Sequence, residues 1–405
     1  MVLAEDLVDA RGRFLLAQGA VIQEKQLRVM KIWGITEADV EGVDPGEAAS
    51  RAMAAIDPEL LRRCEDYVTP FFRNSNQEYE VMREMRRLSV LHLAKRCMAG
   101  ATFPEMEVEA GSADAGDAPT DEKIIAPPGL MRHIQLASFL DVYYRIDEVL
   151  KDSKSSASHL ADVIGKDTSL SAKLLRLANS AFYGVPSKID TVTRAITFIG
   201  TKEISTLAMG VLAIRFFKGI PIRFIDMKTF WTHSVACGAF ASILAQCKTG
   251  LSEERFFVAG LLHDIGRLVM FLGLPRNTTY AIGESRRRSV PLFVVENERF
   301  HYDHTKVGEA LLEKWDFPLT LQLAVRYHHE PMRSPHPLES SIIHLADIMA
   351  IAFQFGHSGE IAVPPLEVDA WEALGISTSM IIPALAHAER LVNEMTKEFL
   401  YEKAY

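Results

Sequence analysis

The sequence predicts a mainly α protein, a large helical bundle behind a small α/β or β-rich N-terminal module. Two observations carry this. From about residue 130 onward, apolar residues recur at three- and four-residue spacing, and few alternating runs are long enough to be strands. Near the N-terminus, by contrast, Phe14-Leu15-Leu16, Gly19 and Val21-Ile22 read as short strands around a turn. With 405 residues, 48% of them hydrophobic and 24% charged, the chain has ordinary globular usage and room for two or three domains.

The elements follow in order. Lys25 to Trp33 is helix-like, Gly34 is its stop, and Ala38-Asp39-Val40 reads as one more strand. Residues 1–56 are thus read as an accessory module. Asp57 is placed to cap a helix that has Pro58 in its first turn. A longer helix is expected from about Glu78 to Met98, where Val81, Met85, Leu88 and Leu91 recur at helical spacing and should face a core. These make 57–100 a helical segment. The stretch that follows is rich in Gly, Ala, Pro and acids and cannot bury enough apolar surface to offset its ordering entropy, so 101–128 reads as a flexible linker closed by Pro127-Pro128-Gly129. Residues 129–405 form the helical domain, with helices expected at 157–165, 169–178, 192–199, 202–217 and 227–247.

Composition excludes some roles. A net charge of −9 argues against a direct nucleic-acid partner, and the basic run Arg286-Arg287-Arg288 reads as a solvated helix end. Cys64, Cys97, Cys237 and Cys247 lack CxxC spacing and read as thiols of a reducing compartment. The N-terminus has no basic start followed by an apolar run, and no run reaches about 18 uninterrupted apolar residues, so neither a signal peptide nor a membrane span is expected. A cytoplasmic protein follows as the expectation.

The chemistry concentrates in seven residues: His233, His263-Asp264, His304, His328-His329 and Asp347. Two adjacent pairs of this kind are unusual among only 13 histidines. Imidazoles with carboxylates suit a pair of divalent transition metals such as iron, manganese, zinc or nickel. A carboxylate beside a histidine can bridge two ions while its neighbour caps one of them. His344 stands three residues before Asp347 and is placed to orient a ligand, whereas His301 reads as a surface residue. His92, His133, His159, His336, His357 and His387 have no such context.

Several separated blocks carry a family resemblance. Leu174-Leu175-Arg176-Leu177-Ala178-Asn179-Ser180-Ala181-Phe182-Tyr183-Gly184 is followed by a helix holding Ala195-Ile196 and Ile199-Gly200. Further on come Ala259 to Gly266, His304 with Gly308, Trp315 with Pro318, His328-His329, and His344 to Asp347. Across roughly residues 130–350 this resembles the HDOD family, bacterial signalling modules related to the HD-domain phosphohydrolases. In its first half Asn179-Ser180 can bond backbone at a helix end and Gly184 permits a left-handed turn, with no nucleophile beside a base. The second half also resembles the HD-GYP cyclic-dinucleotide phosphodiesterases, whose metal ligands correspond to the seven residues above.

Three departures stand against that second likeness. The segment after His329 reads Glu-Pro-Met-Arg-Ser-Pro-His-Pro and lacks the glycine-tyrosine-proline signature. Arg267 stands in place of a lysine and is a poor proton donor. Thr229 stands where an additional acidic ligand would sit. The resemblance therefore implies a signalling protein that acts by binding protein partners or a small nucleotide-like ligand, with a homodimer compatible. Its alternatives are a metal-dependent phosphohydrolase, with Asp264 and Arg267 as catalytic candidates, and a structural-metal or metal-free dimerisation scaffold. The N-terminal module loosely resembles the accessory module that precedes some HD-type signalling domains.

Overall fold

A computed structural model of the protein describes residues 2–8, 14–23, 38, 40, 56–103, 119, 122–133, 137–151, 156–180, 183, 188–217, 220–221, 225–248 and 251–400. The helix expected at 25–33, most of the expected linker, and Gly184 lie outside these residues.

At the N-terminus, Leu7–Val8 (β1) pairs antiparallel with Phe14–Leu16 (β2). Single bridges join Val2 to Val21 and Leu3 to Val40. Leu3, Leu7 and Ile22 bury a small core of their own, with Leu15, Leu16 and Val40 packed on it.

The rest of the described chain is helical. Pro58–Val68 (α1) starts on Asp57, whose carboxylate accepts from the Glu59 amide at 3.4 Å. Glu80–Met98 (α2) turns Met82, Met85 and Leu93 inward and ties Ser89 Oγ to the Ala352 carbonyl. Then come Pro127–His133 (α3), Ala137–Lys151 (α4), Ala157–Gly165 (α5), Thr168–Ala178 (α6), Val192–Ile199 (α7) and Thr201–Phe216 (α8). Asp167 and Thr191 cap α6 and α7, accepting from Leu170 N at 2.9 Å and Arg194 N at 3.2 Å. Asn179 ends α6, and its amide holds both backbone groups of Ile189.

The second half runs through Met227–Gln246 (α9), Glu253–Leu262 (α10), Ile265–Gly273 (α11), Pro275–Arg288 (α12), Leu292–Phe300 (α13), His304–Lys314 (α14), Leu319–Arg326 (α15), Pro337–Ala352 (α16), Val368–Leu374 (α17) and Ile381–Leu400 (α18). Helix α9 is the axis, packed by α10, α16 and α18. One apolar core runs from Ile56 in front of α1 to Met395 in α18, so α1 and α2 share it with the later helices.

Two glycine contacts set the spacing around α10 and α11. A Cβ at Gly260 would lie 2.7 Å from the Cys237 carbonyl group, which lets α9 and α10 touch backbone to backbone. A Cβ at Gly266 would lie 2.0 Å from the His304 carbonyl oxygen, so α11 meets the start of α14 at the same closeness. Together α10 and α11, Glu253–Gly273, are long and apolar enough to cross a bilayer, but 89% of that window is buried inside the protein, as in a core segment. Arg286 to Arg288 occupy the last turn of α12, as the sequence suggests. His304 is the first residue of α14, and Asp303 before it takes the capping role, accepting from Thr305 N and Lys306 N.

Candidate metal centre

All seven sequence-derived residues converge. His233 comes from the second turn of α9, His263-Asp264 from the break between α10 and α11, and His304 from the start of α14. His328-His329 follow the end of α15, and Asp347 comes from the middle of α16. Six of the seven are 0–3% exposed, and His329 is half-buried.

The donor atoms form two poles. In the first, His233 Nε2 lies 3.2 Å from Asp347 Oδ1 and 3.3 Å from His263 Nε2, and His263 Nε2 lies 3.5 Å from Asp347 Oδ1. In the second, His304 Nε2 lies 2.9 Å from Asp264 Oδ1 and 3.4 Å from His328 Nε2, and the His329 ring nitrogens are also within reach. Donors held about 2.1 Å from one ion stand roughly 3.0–3.4 Å apart in octahedral or tetrahedral coordination. The first pole matches that spacing closely. Asp264 stands between the poles, with Oδ2 3.2 Å from His263 Nε2 and Oδ1 toward His304.

The outer face of each ring explains its orientation. His263 Nδ1 donates to the Gly260 carbonyl and His328 Nδ1 to the Val325 carbonyl, both at 2.7 Å. His304 Nδ1 meets Glu296 Oε2 at 2.5 Å, and that same oxygen accepts from the His304 amide. Each contact takes up Nδ1 and turns Nε2 inward, which is the orientation a metal ligand requires. His344 acts one step further out. Its Nδ1 donates to the His328 carbonyl at 2.7 Å and its Nε2 accepts from Glu367 N at 3.0 Å, so it positions the backbone of a candidate ligand residue. Thr229, in the first turn of α9, bonds Asp226 at 2.7 Å. His301 is exposed and ends α13 in a left-handed conformation.

Four atoms test whether the centre fits a metal. Both His329 ring nitrogens, Asp347 Oδ1 and Asp264 Oδ1 are buried without a well-aligned hydrogen bond. Buried polar atoms of this kind are costly unless something else satisfies them. Phe293 stacks on the His329 ring at 4.4 Å and holds it in place. The donor set is compatible with a metal site.

Charge in the centre is tightly coupled. Burial pushes the Asp264 carboxyl up, but Arg267, His263 and His304 outweigh it and hold the group well below the usual carboxylate range. For Asp347, burial is likewise overcome, here by the close approach of His233 and His263. Burial and Arg267 push His304 down, yet Glu296 and Asp264 raise it to about 9. Burial, with His263 and His304 alongside, depresses His328 to about 3. The depressed histidines are neutral and keep their lone pairs, while the carboxylates stay ionised.

Sequence reasoning missed the groups that hold Arg267. Its guanidinium is 2% exposed; Nη1 donates to Asp264 Oδ2 at 2.7 Å and to Ser358 Oγ, and Nε reaches Glu296 Oε1 at 3.4 Å. Ser358 Oγ in turn donates to Asp264 Oδ2. Glu360 follows two residues later, buried and accepting from the Leu292 amide.

Comparison with known proteins adds the family. The sequence profile of the HDOD domain matches residues 136–331. An uncharacterized protein of Treponema pallidum (strain Nichols) is 24% identical over 204 residues, which cover 49% of this chain and 39% of that relative. The match thus spans well under half of that relative's length. Among solved structures, an HDOD domain protein of unknown function from Geobacter sulfurreducens aligns with a TM-score of 0.54 at 21% identity, over 65% of this chain and 92% of that one. A Shewanella amazonensis SB2B protein, named as a candidate phosphohydrolase, aligns at 0.53 with 20% identity, over 67% and 97%. A Marinobacter aquaeolei VT8 protein, named as a candidate signal-transduction protein, aligns at 0.51 with 18% identity, over 76% and 72%. These three likenesses show a shared fold. With the profile match and the all-helical architecture, residues 136–331 of this chain form an HDOD domain.

Proposed function

We propose that this is a cytoplasmic signal-transduction protein. Its HDOD domain works by binding a protein partner or a small nucleotide-like ligand, over a closed metal centre that orders the second helical half. One observation carries the reading: six of the seven donor residues are 0–3% exposed. Closed centres of this kind are structural, whereas catalytic ones keep a position open to substrate. His233, His263 and Asp347 would hold one ion, and Asp264, His304, His328 and His329 the other, as iron, manganese, zinc or nickel. Such an ion would supply Lewis acidity and neutralise the buried carboxylates. Arg267, the group expected to meet a substrate phosphate, already donates to Asp264 and Ser358, which supports binding over turnover.

A second reading, a metal-dependent phosphohydrolase, is favoured by His329, the one residue of the seven that is only half-buried and whose two ring nitrogens have no hydrogen-bond partner. Elemental analysis of untagged protein, followed by a phosphodiester and nucleotide screen, separates the two. The expected result is bound transition metal without turnover. Metal-dependent hydrolysis abolished by Asp264→Ala in a folded variant would establish the enzyme, and metal-free folded protein would remove the centre from the proposal.

A further inference from the structure

A second feature lies away from the metal centre. A cavity of about 610 Å³ opens between α6, the segment 188–190 and α18, and none of the seven donor residues lines it. Its size falls within the range of small-molecule sites, roughly 300–1,000 Å³. Leu175, Leu177, Ile189 and Met395 give it apolar walls. Lys173, Arg176, Lys188 and Lys397 bring four cations to it, against the acids Asp190 and Glu394. Asp190 is itself engaged with Arg194 at 3.0 Å.

The cavity is built into the fold. The Asn179 side chain donates to the Leu175 and Ile189 carbonyls at 2.7 Å each and accepts from the Ile189 amide at 2.8 Å. That clamp fixes the 188–190 wall against the end of α6, so the space does not depend on a ligand to form. Lys173, 2% exposed, contributes to the wall.

We propose that this cavity binds a small amphipathic anion, an apolar body carrying one carboxylate, sulfonate or phosphate group. The apolar walls take the body, and Lys188 and Lys397 take the charge. This would give the domain a ligand-sensing site separate from the metal centre, and the proposal does not depend on a metal being bound.

The test uses the full chain and 8-anilinonaphthalene-1-sulfonate as a fluorescent probe. Decanoate, decyl phosphate and neutral decanol serve as competitors. One saturable site is expected, displaced by both decyl anions and at least about tenfold less well by decanol. Preference between the two anions tells carboxylate from phosphate recognition. Lys397→Glu reverses a charge at an exposed position, and Asn393→Trp fills the cavity from the exposed face of α18. Each should weaken the probe about tenfold or more with the melting temperature unchanged. Equal affinity in both variants, or decanol competing as well as decanoate, overturns the proposal.

Discussion

His92 sits 9% exposed, with its ring centroid 5.8 Å from that of Phe355 and 6.3 Å from that of Phe353, and its Nε2 has no hydrogen-bond partner. Burial first, then the charges of Arg96 and Lys95, depress it from 6.5 to about 4. Its folded pKa lies below its unfolded one, so the stability it contributes is complete above about pH 6.5 and is lost as pH falls toward 4. His387 titrates in the same direction, also to about 4. Denaturation midpoints measured at pH 7 and pH 5 should therefore fall in the wild type and fall less in His92→Phe. An identical pH slope in the variant would show that His92 does not carry the effect. At this scale the sequence pointed to the seven residues that the fold brings together, because histidines are scarce and two pairs are adjacent. It hid Glu296, Ser358 and Glu360, since a lone acid or serine is common on any helix or loop, and Ser358 meets Asp264 across 94 positions.

Among the elements, the contact between α11 and α14 is the most exacting. At Gly266 an added methyl group would collide with backbone, the His304 carbonyl oxygen at 2.0 Å and the Gly308 nitrogen at 2.7 Å, and backbone cannot turn aside as a side chain can. Gly266→Ala should destabilise the fold by about 1–3 kcal/mol and shift His304 away from Asp264. Gly165→Ala, with nothing within 4 Å of the new carbon, is the matched control and should be nearly neutral. Equal denaturation midpoints for the two variants would refute the argument. Helix starts were legible at Asp57 because a carboxylate before a proline has few other readings. The start of α14 was not, because His304 drew attention as a ligand while Asp303 beside it did the capping.

Across the whole molecule, three- and four-residue spacing sufficed to foresee a bundle, because a helix must bury one face whatever its neighbours are. How α1 and α2 join it was not foreseeable. That depends on contacts such as Ser89 with Ala352, 263 positions apart, which no local pattern encodes. Because one apolar core links α1 to α18, loss of a metal bound at the centre would be felt throughout. An ion at about 1,000 times its dissociation constant adds roughly 4 kcal/mol to stability. Chelation should lower the melting temperature in a single cooperative transition. A melting curve unmoved by chelator, in protein shown to contain metal beforehand, would mean that the ion contributes little to folding.

The span of the centre has a practical consequence. The HDOD profile stops at residue 331, whereas Asp347, Ser358 and Glu360 all come after it. Anyone who excises the matched stretch obtains His233 and His263 without their shared carboxylate, and Arg267 without the hydroxyl it bonds. Glu367, whose amide braces His344, lies further still. A transplant of this module into another host would have to carry the chain on through Glu367, because the stretch recognised by resemblance is shorter than the stretch that builds the centre.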